Sequence, residues 1–431
     1  MTLKDLQGVR GTRDFYPNDM RLRSWLFAHF REVAQRFAFE EVDAPIVEHQ
    51  ELFTRKAGEE IVDQLYHFEL HERSLALRPE MTPSIARMVL ARHKQLKYPL
   101  RWFAITQNWR YERMTRGRKR EHFQWNMDIW GEESVSAEAE LIAAIFCLLQ
   151  RIGLGDGQVK IRVNSRALLE ETLLDGVLKQ RPEAFAPLCV IIDKLDKIGK
   201  EAVVEQLVDP EGAVGLSAAE AEETVGLLEI KDFEEAAARA PQDSAAIAQL
   251  RQLFDLLQGY GVMEHVVFDA SIVRGLAYYT GIVFEGFDAR GSLRAICGGG
   301  RYNRLLETLG GPATPAVGFG FGDVVIGELL KDEGLLPDCA RRIDAMIFPF
   351  EDEQRPAAAR LATQLRAQGK SVELVLAKKK LRRIFSDAEN AGALELYLLG
   401  SDEVARGVAR LRNLQSGEEC DIPLPDTLSL D

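Results

Sequence analysis

No stretch of this 431-residue sequence is apolar over the ~20 residues that a bilayer-spanning helix requires; its longest purely apolar run, Leu141–Leu149, has nine. The first ten residues, MTLKDLQGVR, mix acid and base without an apolar core segment, so no secretory leader is expected. Cysteine is scarce. The five present (Cys147, Cys189, Cys297, Cys339, Cys420) show no C-x-x-C spacing, which argues against a structural zinc site or a disulfide framework and for a reducing compartment, the cytoplasm. Glycine (34) and proline (16) are too few for a collagenous or low-complexity chain, and 46% hydrophobic against 28% charged residues excludes a disordered one. What remains is a globular protein of about three domains.

Positive charge is also in deficit, 54 Lys and Arg against 67 Asp and Glu, a net of −13 that argues against nucleic acid as a partner. Its distribution reverses that reading. Residues 201–240 hold eleven acids and two bases, whereas Arg110, Arg113, Arg116, Arg118, Lys119 and Arg120 share eleven residues with the single acid Glu112. Lys378, Lys379, Lys380, Arg382 and Arg383 form a second basic group. Phosphates respond to local patches rather than to net charge, so two contact regions for a polyanion are predicted.

Hydrophobic spacing predicts an amphipathic helix over 21–36, strands over 66–77, 100–107 and 123–131, and helices over 83–97 and 137–152. Strands following one another by hairpins favour a mostly antiparallel sheet. From about 165 to 262 helix formers take over, an inserted helical domain. Strand signals return at 265–269, 281–287 and 293–296, so the first domain, 1–164, is completed by 263–336. A linker over 334–337 precedes a βαβαβ alternation from 341 to 431, a small α/β domain.

Four segments carry chemistry. Trp109–Gly131 runs as a strand into a basic loop and returns as a strand with Gln124, Asn126 and Asp128 on one face and Phe123, Trp125 and Met127 on the other; arginine suits a phosphate-binding loop because its planar fork is always charged. Asp269–Phe287 places Arg274 before the pair Tyr278 and Tyr279. Cys297–Arg301 contains three glycines that permit close backbone approach to a ligand, or form a tight bulge. Leu77–Met88 presents Glu80 and Thr82 at a strand end, where the carboxylate meets a ligand ammonium or caps the next helix. His67 and His71 lack an H-E-x-x-H context and lie in a strand pattern, so no metal site is expected, and no G-x-S-x-G elbow points to covalent catalysis.

In combination these segments resemble the histidyl-tRNA synthetase family of class II aminoacyl-tRNA synthetases. Arg110-x-Glu112 with its loop resembles motif 2; Arg274-Gly-Leu-Ala-Tyr-Tyr-Thr-Gly and Cys-Gly-Gly-Gly-Arg-Tyr resemble the two histidine-specific segments; the start GVRGTRDFYP and Arg78-Pro-Glu-Met-Thr match as well. The resemblance implies an α+β fold: an antiparallel sheet with flanking helices, a helical insertion, and a C-terminal α/β anticodon-binding domain. It implies histidine activation by ATP, accompanied by Mg2+, followed by transfer to the 3′ end of tRNA-His, in a homodimer built through the first helix and the strand through Pro45, away from membranes. By the same resemblance Arg110, Arg274 and Gln124 are catalytic. Glu80, Met81, Thr82, Gln124, Asp128, Tyr278 and Tyr279 bind histidine. Arg110, Glu112, Arg118, Arg274 and Arg301 bind ATP, and Arg113, Arg116, Lys379 and Arg382 meet tRNA.

Three departures stand out. Val325 occupies the motif 3 position where family members commonly place a γ-phosphate-binding arginine, with Arg118 or Arg301 as candidate substitutes; Ala277 replaces a frequent Asp; and Asp128 is shorter than a frequent Glu. The alternative function is the synthetase-like regulatory subunit of ATP phosphoribosyltransferase, a histidine sensor. The C-terminal domain and Arg110 argue against it.

Overall fold

A computed structural model describes residues 6–54, 62–155, 157–273 and 278–425, without the side chains of 196 and 197. The chain forms two compact units, one of residues 6–15 and 23–336, the other of 16–22 and 337–425.

The first unit is built on strands β1 (Glu40–Glu41), β2 (Val47–His49), β3 (His67–Leu70), β4 (Arg73–Leu77), β5 (Leu100–Trp109), β6 (Glu121–Trp130), β7 (Val159–Ser165), β8 (Val266–Phe268), β9 (Ile282–Asp288), β10 (Cys297–Arg301) and β11 (Ala316–Gly322). Eight of them form one sheet in the order β1-β5-β6-β11-β10-β9-β7-β8. Only the β1–β5 and β7–β8 pairs are parallel. A sheet buried on one face by helices and left with a polar opposite face needs alternating side chains, and β6 alternates throughout: Trp125, Met127 and Ile129 enter the main core while Gln124, Asn126 and Asp128 face the other way.

The covering helices are Pro17–Arg36, which buries the stripe Leu26, Phe30, Val33 and Ala34, and Ser136–Arg151, whose run from Leu141 to Leu149 is nearly all buried. Phe30 stacks on Trp125 at 5.1 Å between ring centroids, joining the first helix to β6. Helices between Arg166 and Gly259 bring a second cluster, including Leu173, Leu188, Val203, Leu207 and Val225, into their own core.

The structure revises several expectations. Residues 66–77 form a hairpin, not one strand: His71 and Glu72 take positive φ (49° and 60°) at its turn, a conformation normally left to Gly or Asn. The glycine run Cys297–Arg301 is a central strand, not a bulge, and displaces the strand expected at 293–296. Its glycines lower intrinsic strand propensity, but a Cβ on Gly299 would overlap the Gly318 carbonyl and Phe284. Strand β11, alternating Gly with Phe, reads in sequence as a connector for the same reason.

Arg301 also changes role. The β10–β11 register puts Gly298 and Gly300 on the polar face of the sheet and Arg301 on the helix-covered face. There Arg301 Nε and Nη2 each lie 2.6 Å from the two Glu138 carboxylate oxygens, and the guanidinium donates to the Glu132 and Ser134 carbonyls. Fully engaged and buried, it is unavailable to ATP, so the sequence-based assignment gives way to a structural one. Glu138→Ala, leaving that guanidinium unpaired, is expected to destabilise the fold by about 3–5 kcal/mol in denaturant unfolding.

The second unit carries β12 (Ile343–Pro349), β13 (Val372–Leu374), β14 (Ala393–Leu399), β15 (Val408–Asn413) and β16 (Glu419–Pro423) in the order β13-β12-β14-β15-β16. The first three are parallel, as the βαβαβ pattern predicts. The terminal antiparallel hairpin β15–β16 was not anticipated. Helices Arg355–Ala367 and Leu381–Asn390 cover the sheet through two apolar clusters.

Candidate active site

The polar face of the large sheet has a floor of glycine. Register pairs Gly318, Gly320 and Gly322 of β11 with Asp128, Asn126 and Gln124 of β6, and Gly298 and Gly300 of β10 with Gly320 and Gly318. Five side chains are thus missing from one patch. Polar residues of β5 and β6 rise beside it, with Thr106 opposite Gln124 and Asn108 opposite His122. Asn108 donates to Gln124 Oε1 at 2.9 Å.

At one end lies a cluster of buried polar side chains. Asp128 is fully buried and accepts a hydrogen bond from the Tyr302 hydroxyl through Oδ1; its Oδ2, like Asn126 Oδ1, is buried without a hydrogen-bond partner among the described residues. Burial foremost, with help from the charge of Glu80, pushes the Asp128 carboxyl up to about 7, against the Tyr302 hydrogen bond that lowers it. Tyr278 donates to Glu80 Oε2 at 2.8 Å, and the Tyr278, Tyr279 and Tyr302 rings touch one another. A partnerless buried carboxylate oxygen is rare in folded proteins and marks a place for a donor from a ligand. Glu80 does not cap the helix Thr82–Arg92. That helix starts without a side-chain cap, Met81 preceding it and Thr82 at its first position, and all three residues are buried.

At the other end a cleft of about 220 Å³ is lined by Arg110, Glu112, Gly117, Arg118, Lys119, His122, Gln124, Glu285, Arg294 and the start of the helix Asp323–Asp332 at Val324 and Val325. Four cations face two carboxylates. Arg110, just past β5, is steered by a bond from Nε to the Pro79 carbonyl at 2.9 Å. Arg118 Nε lies 2.5 Å from Glu112 Oε2. His122 adds no charge, since burial first, then the Arg110, Arg13 and Arg294 cations, press its pKa down to about 3. Such excess positive charge on a glycine floor suits a polyphosphate.

Of the residues expected from sequence, Glu80, Asp128, Tyr278, Tyr279, Gln124, Arg110, Glu112 and Arg118 lie along this face. Arg274 and Ala277 fall outside the described residues. Arg113 is exposed; Arg116 is exposed but tied to Glu328 and Asp332 at 3.0 and 2.6 Å. In the second unit Lys379 pairs with Asp387 at 2.6 Å and Arg382 is exposed.

Sequence reading missed Tyr302, Arg294 and Arg13. Arg13 bridges Glu121 at 2.7 Å and Asp323 at 2.9 Å, while Asp323 accepts the Phe123 amide at 2.9 Å, fixing the start of the cleft-lining helix against β6. The signal for Tyr302 was alternation: it continues the Gly298, Gly300 face of β10.

Glycine at 320 is required by Gln124, whose amide would overlap a Cβ there. Because that amide is the end of a flexible side chain, Gly320→Ala is expected to displace Gln124 and cut catalytic efficiency by about tenfold or more with little loss of stability. Gly299→Ala, which meets backbone, is expected instead to destabilise the fold. Paired melting and activity measurements separate the two.

Among the described residues no three His, Cys, Asp or Glu side chains converge to hold a metal ion, and no helix is long and apolar enough to cross a membrane.

The sequence matches the family model described as Histidyl-tRNA synthetase over residues 11–322 and the model described as Anticodon binding domain over residues 344–430. It is 48% identical over 423 residues to "Histidine--tRNA ligase, chloroplastic/mitochondrial" of Arabidopsis thaliana, covering 98% of this chain and 86% of that protein. It is 39% identical over 427 residues to "Histidine--tRNA ligase" of Opitutus terrae, covering 97% and 96%. Among solved structures, the fold superposes on a histidyl-tRNA synthetase from Nostoc with a TM-score of 0.75 at 24% identity, over 97% of this chain and 96% of the other.

Proposed function

The chain belongs to the histidyl-tRNA synthetase family, and from that premise we propose how its residues divide the work of a histidine–tRNA ligase, which joins L-histidine to ATP as histidyl-adenylate, releases pyrophosphate, and passes histidine to the 3′ end of tRNA-His. The observation that carries the division is the single glycine-floored sheet face that bears the buried Asp128–Tyr302 pair and, further along it, the cationic cleft.

Histidine seats its imidazole against Asp128. One ring nitrogen donates to the partnerless Oδ2, so an amino acid lacking that N–H leaves a buried carboxylate unpaired and is rejected. Glu80, oriented by Tyr278, holds the ammonium, and Thr82 and Met81 close the wall. Gln124, oriented by Asn108, lies between the pocket and the cleft and meets the carboxylate. ATP enters with its Mg2+. Attack of the histidine carboxylate oxygen on the α-phosphorus forms the acyl-phosphate bond and breaks the bond to the β-phosphate bridge. Arg110 stabilises the charge that builds on the non-bridging oxygens. Arg274 takes a catalytic part by family resemblance. Glu112 and Arg118 border the phosphates.

The basic loop with Arg113 and Arg116, and in the second unit Lys379 and Arg382, are proposed to meet tRNA phosphates. The functional form is proposed to be a homodimer; exposed Ile46, Val47, Phe68 and Leu70 on and beside the β2–β4–β3 sheet supply apolar surface for a partner. Its compartment is proposed to be reducing, the cytoplasm. Charging of a tRNA-His transcript tests the reading: histidine esterified to that transcript and not to other tRNAs is the expected outcome, whereas histidine binding without any charging would favour the regulatory histidine sensor.

A further inference from the structure

Arg294 lies between β9 and β10 and lines the cleft beside the β5–β6 loop that supplies Arg110 and Arg118. Its Nη1 is 3.8 Å from Glu112 Oε2, an ion-pair distance but beyond hydrogen-bond range, while the same carboxylate oxygen holds Arg118 at 2.5 Å. Partial burial first, then the Arg118 charge and more weakly that of Arg110, lower the Arg294 pKa against the pull of Glu112. Arg118 and Arg294 thus share the Glu112 carboxylate beside the Arg110 charge, with Glu285 the second carboxylate of the lining, an excess of positive charge that a multiply charged anion between the guanidiniums relieves.

The position within the cleft is set by Gly117. A Cβ added there, at the tip of the basic loop, would lie 3.3 Å from Val325 Cγ2 and 3.6 Å from Arg294 Cγ. The loop tip, Val325 and the Arg294 stem therefore meet in one corner. Val325 brings no charge to that corner, and Arg301 is turned to the other face of the sheet; among the described residues Arg294 is the arginine whose stem packs against the Gly117 tip. The corner lies at the cleft end of the face, away from the Asp128 pocket, where the part of a triphosphate farthest from the histidine carboxylate would extend.

We propose that Arg294 is the ligand of the β- and γ-phosphates of ATP, and of the pyrophosphate that leaves, taking the charge that position 325 does not supply. The proposal rests on the ligase reading and extends it to one residue. Held by Arg118 on the loop and by Arg294 between β9 and β10, the terminal phosphates stay extended while the α-phosphorus, met by Arg110, is attacked. Departure of pyrophosphate then requires release from Arg294 as well as from the loop.

Calorimetric titration of the full chain tests this with ATP, inorganic pyrophosphate, AMP and histidine as probes. Arg294→Ala is expected to weaken ATP and pyrophosphate by a factor of about 10 to 100 while leaving AMP and histidine within about twofold. Arg294→Lys, which keeps the charge and the stem, is expected to fall between, and guards against a folding defect in the alanine variant. Unchanged ATP affinity in both variants, or equal losses for ATP and AMP, would overturn the assignment. Failure of the ligase reading looks different: the wild-type chain itself would not bind ATP or would show no histidine-dependent pyrophosphate exchange.

Discussion

Asp128→Asn is expected to raise the KM for histidine by a factor on the order of 10² while changing the KM for ATP little. The carboxylate is buried, its Oδ1 committed to Tyr302 and its Oδ2 without a partner, so the substitution removes the acceptor that singles out an imidazole N–H. The pH dependence has a definite sign. Burial pushes the Asp128 carboxyl up to about 7 in the folded protein, and the ionised form is much the stronger acceptor for the ring N–H, so kcat/KM for histidine is expected to fall as pH drops through 7. Stability runs the other way. The unfolded residue loses its proton near its ordinary value of 3.8 and the folded one near 7. Unfolding therefore releases a proton between these values, and stability declines as pH rises through that window and levels above it. Asp128→Asn is accordingly expected to melt higher than wild type at pH 8 and close to it at pH 4, gaining stability where it loses recognition. A variant that melts lower at both pH values would show that Asp128 is there for packing.

Arg110→Ala is expected to lower the rate of adenylate formation by a factor of 10² to 10³ with histidine binding nearly intact, the size typical of removing one preorganised charge from a developing oxyanion. Its guanidinium is fixed by the Pro79 carbonyl rather than by a carboxylate, so its charge is oriented without being neutralised. The same loss is expected for Arg274→Ala on the family resemblance. Stopped-flow measurement of the first turnover separates chemistry from product release; a rise in histidine KM matching the fall in rate would make Arg110 a substrate clamp.

The residues legible in sequence were those whose neighbours in sequence are also their neighbours in space. The basic loop between β5 and β6 and the alternation of Gln124, Asn126 and Asp128 against Trp125 and Met127 are local patterns, and the structure reproduces them. Strands β10 and β11 were less legible because their glycines satisfy a constraint set elsewhere: Gly318 clears Asp128 and Tyr302, and Gly320 clears Gln124. Arg301 was misassigned because proximity to the glycine run says nothing about which sheet face it takes. One residue of register separates a phosphate ligand from the partner of Glu138. Arg294 and Arg13 were invisible for a related reason. Arg13 acts through Glu121 and Asp323, far along the chain, and Arg294 acquires meaning only once the cleft brings it beside Arg110.

The central claim is that one glycine-floored face activates histidine with ATP. Histidine-dependent exchange of pyrophosphate into ATP, run with each of the twenty amino acids, tests it most directly. Exchange is expected with histidine alone, and is expected to be abolished in Asp128→Asn at histidine concentrations that saturate the wild type. Exchange supported by another amino acid, or none with histidine while histidine still binds, would contradict it.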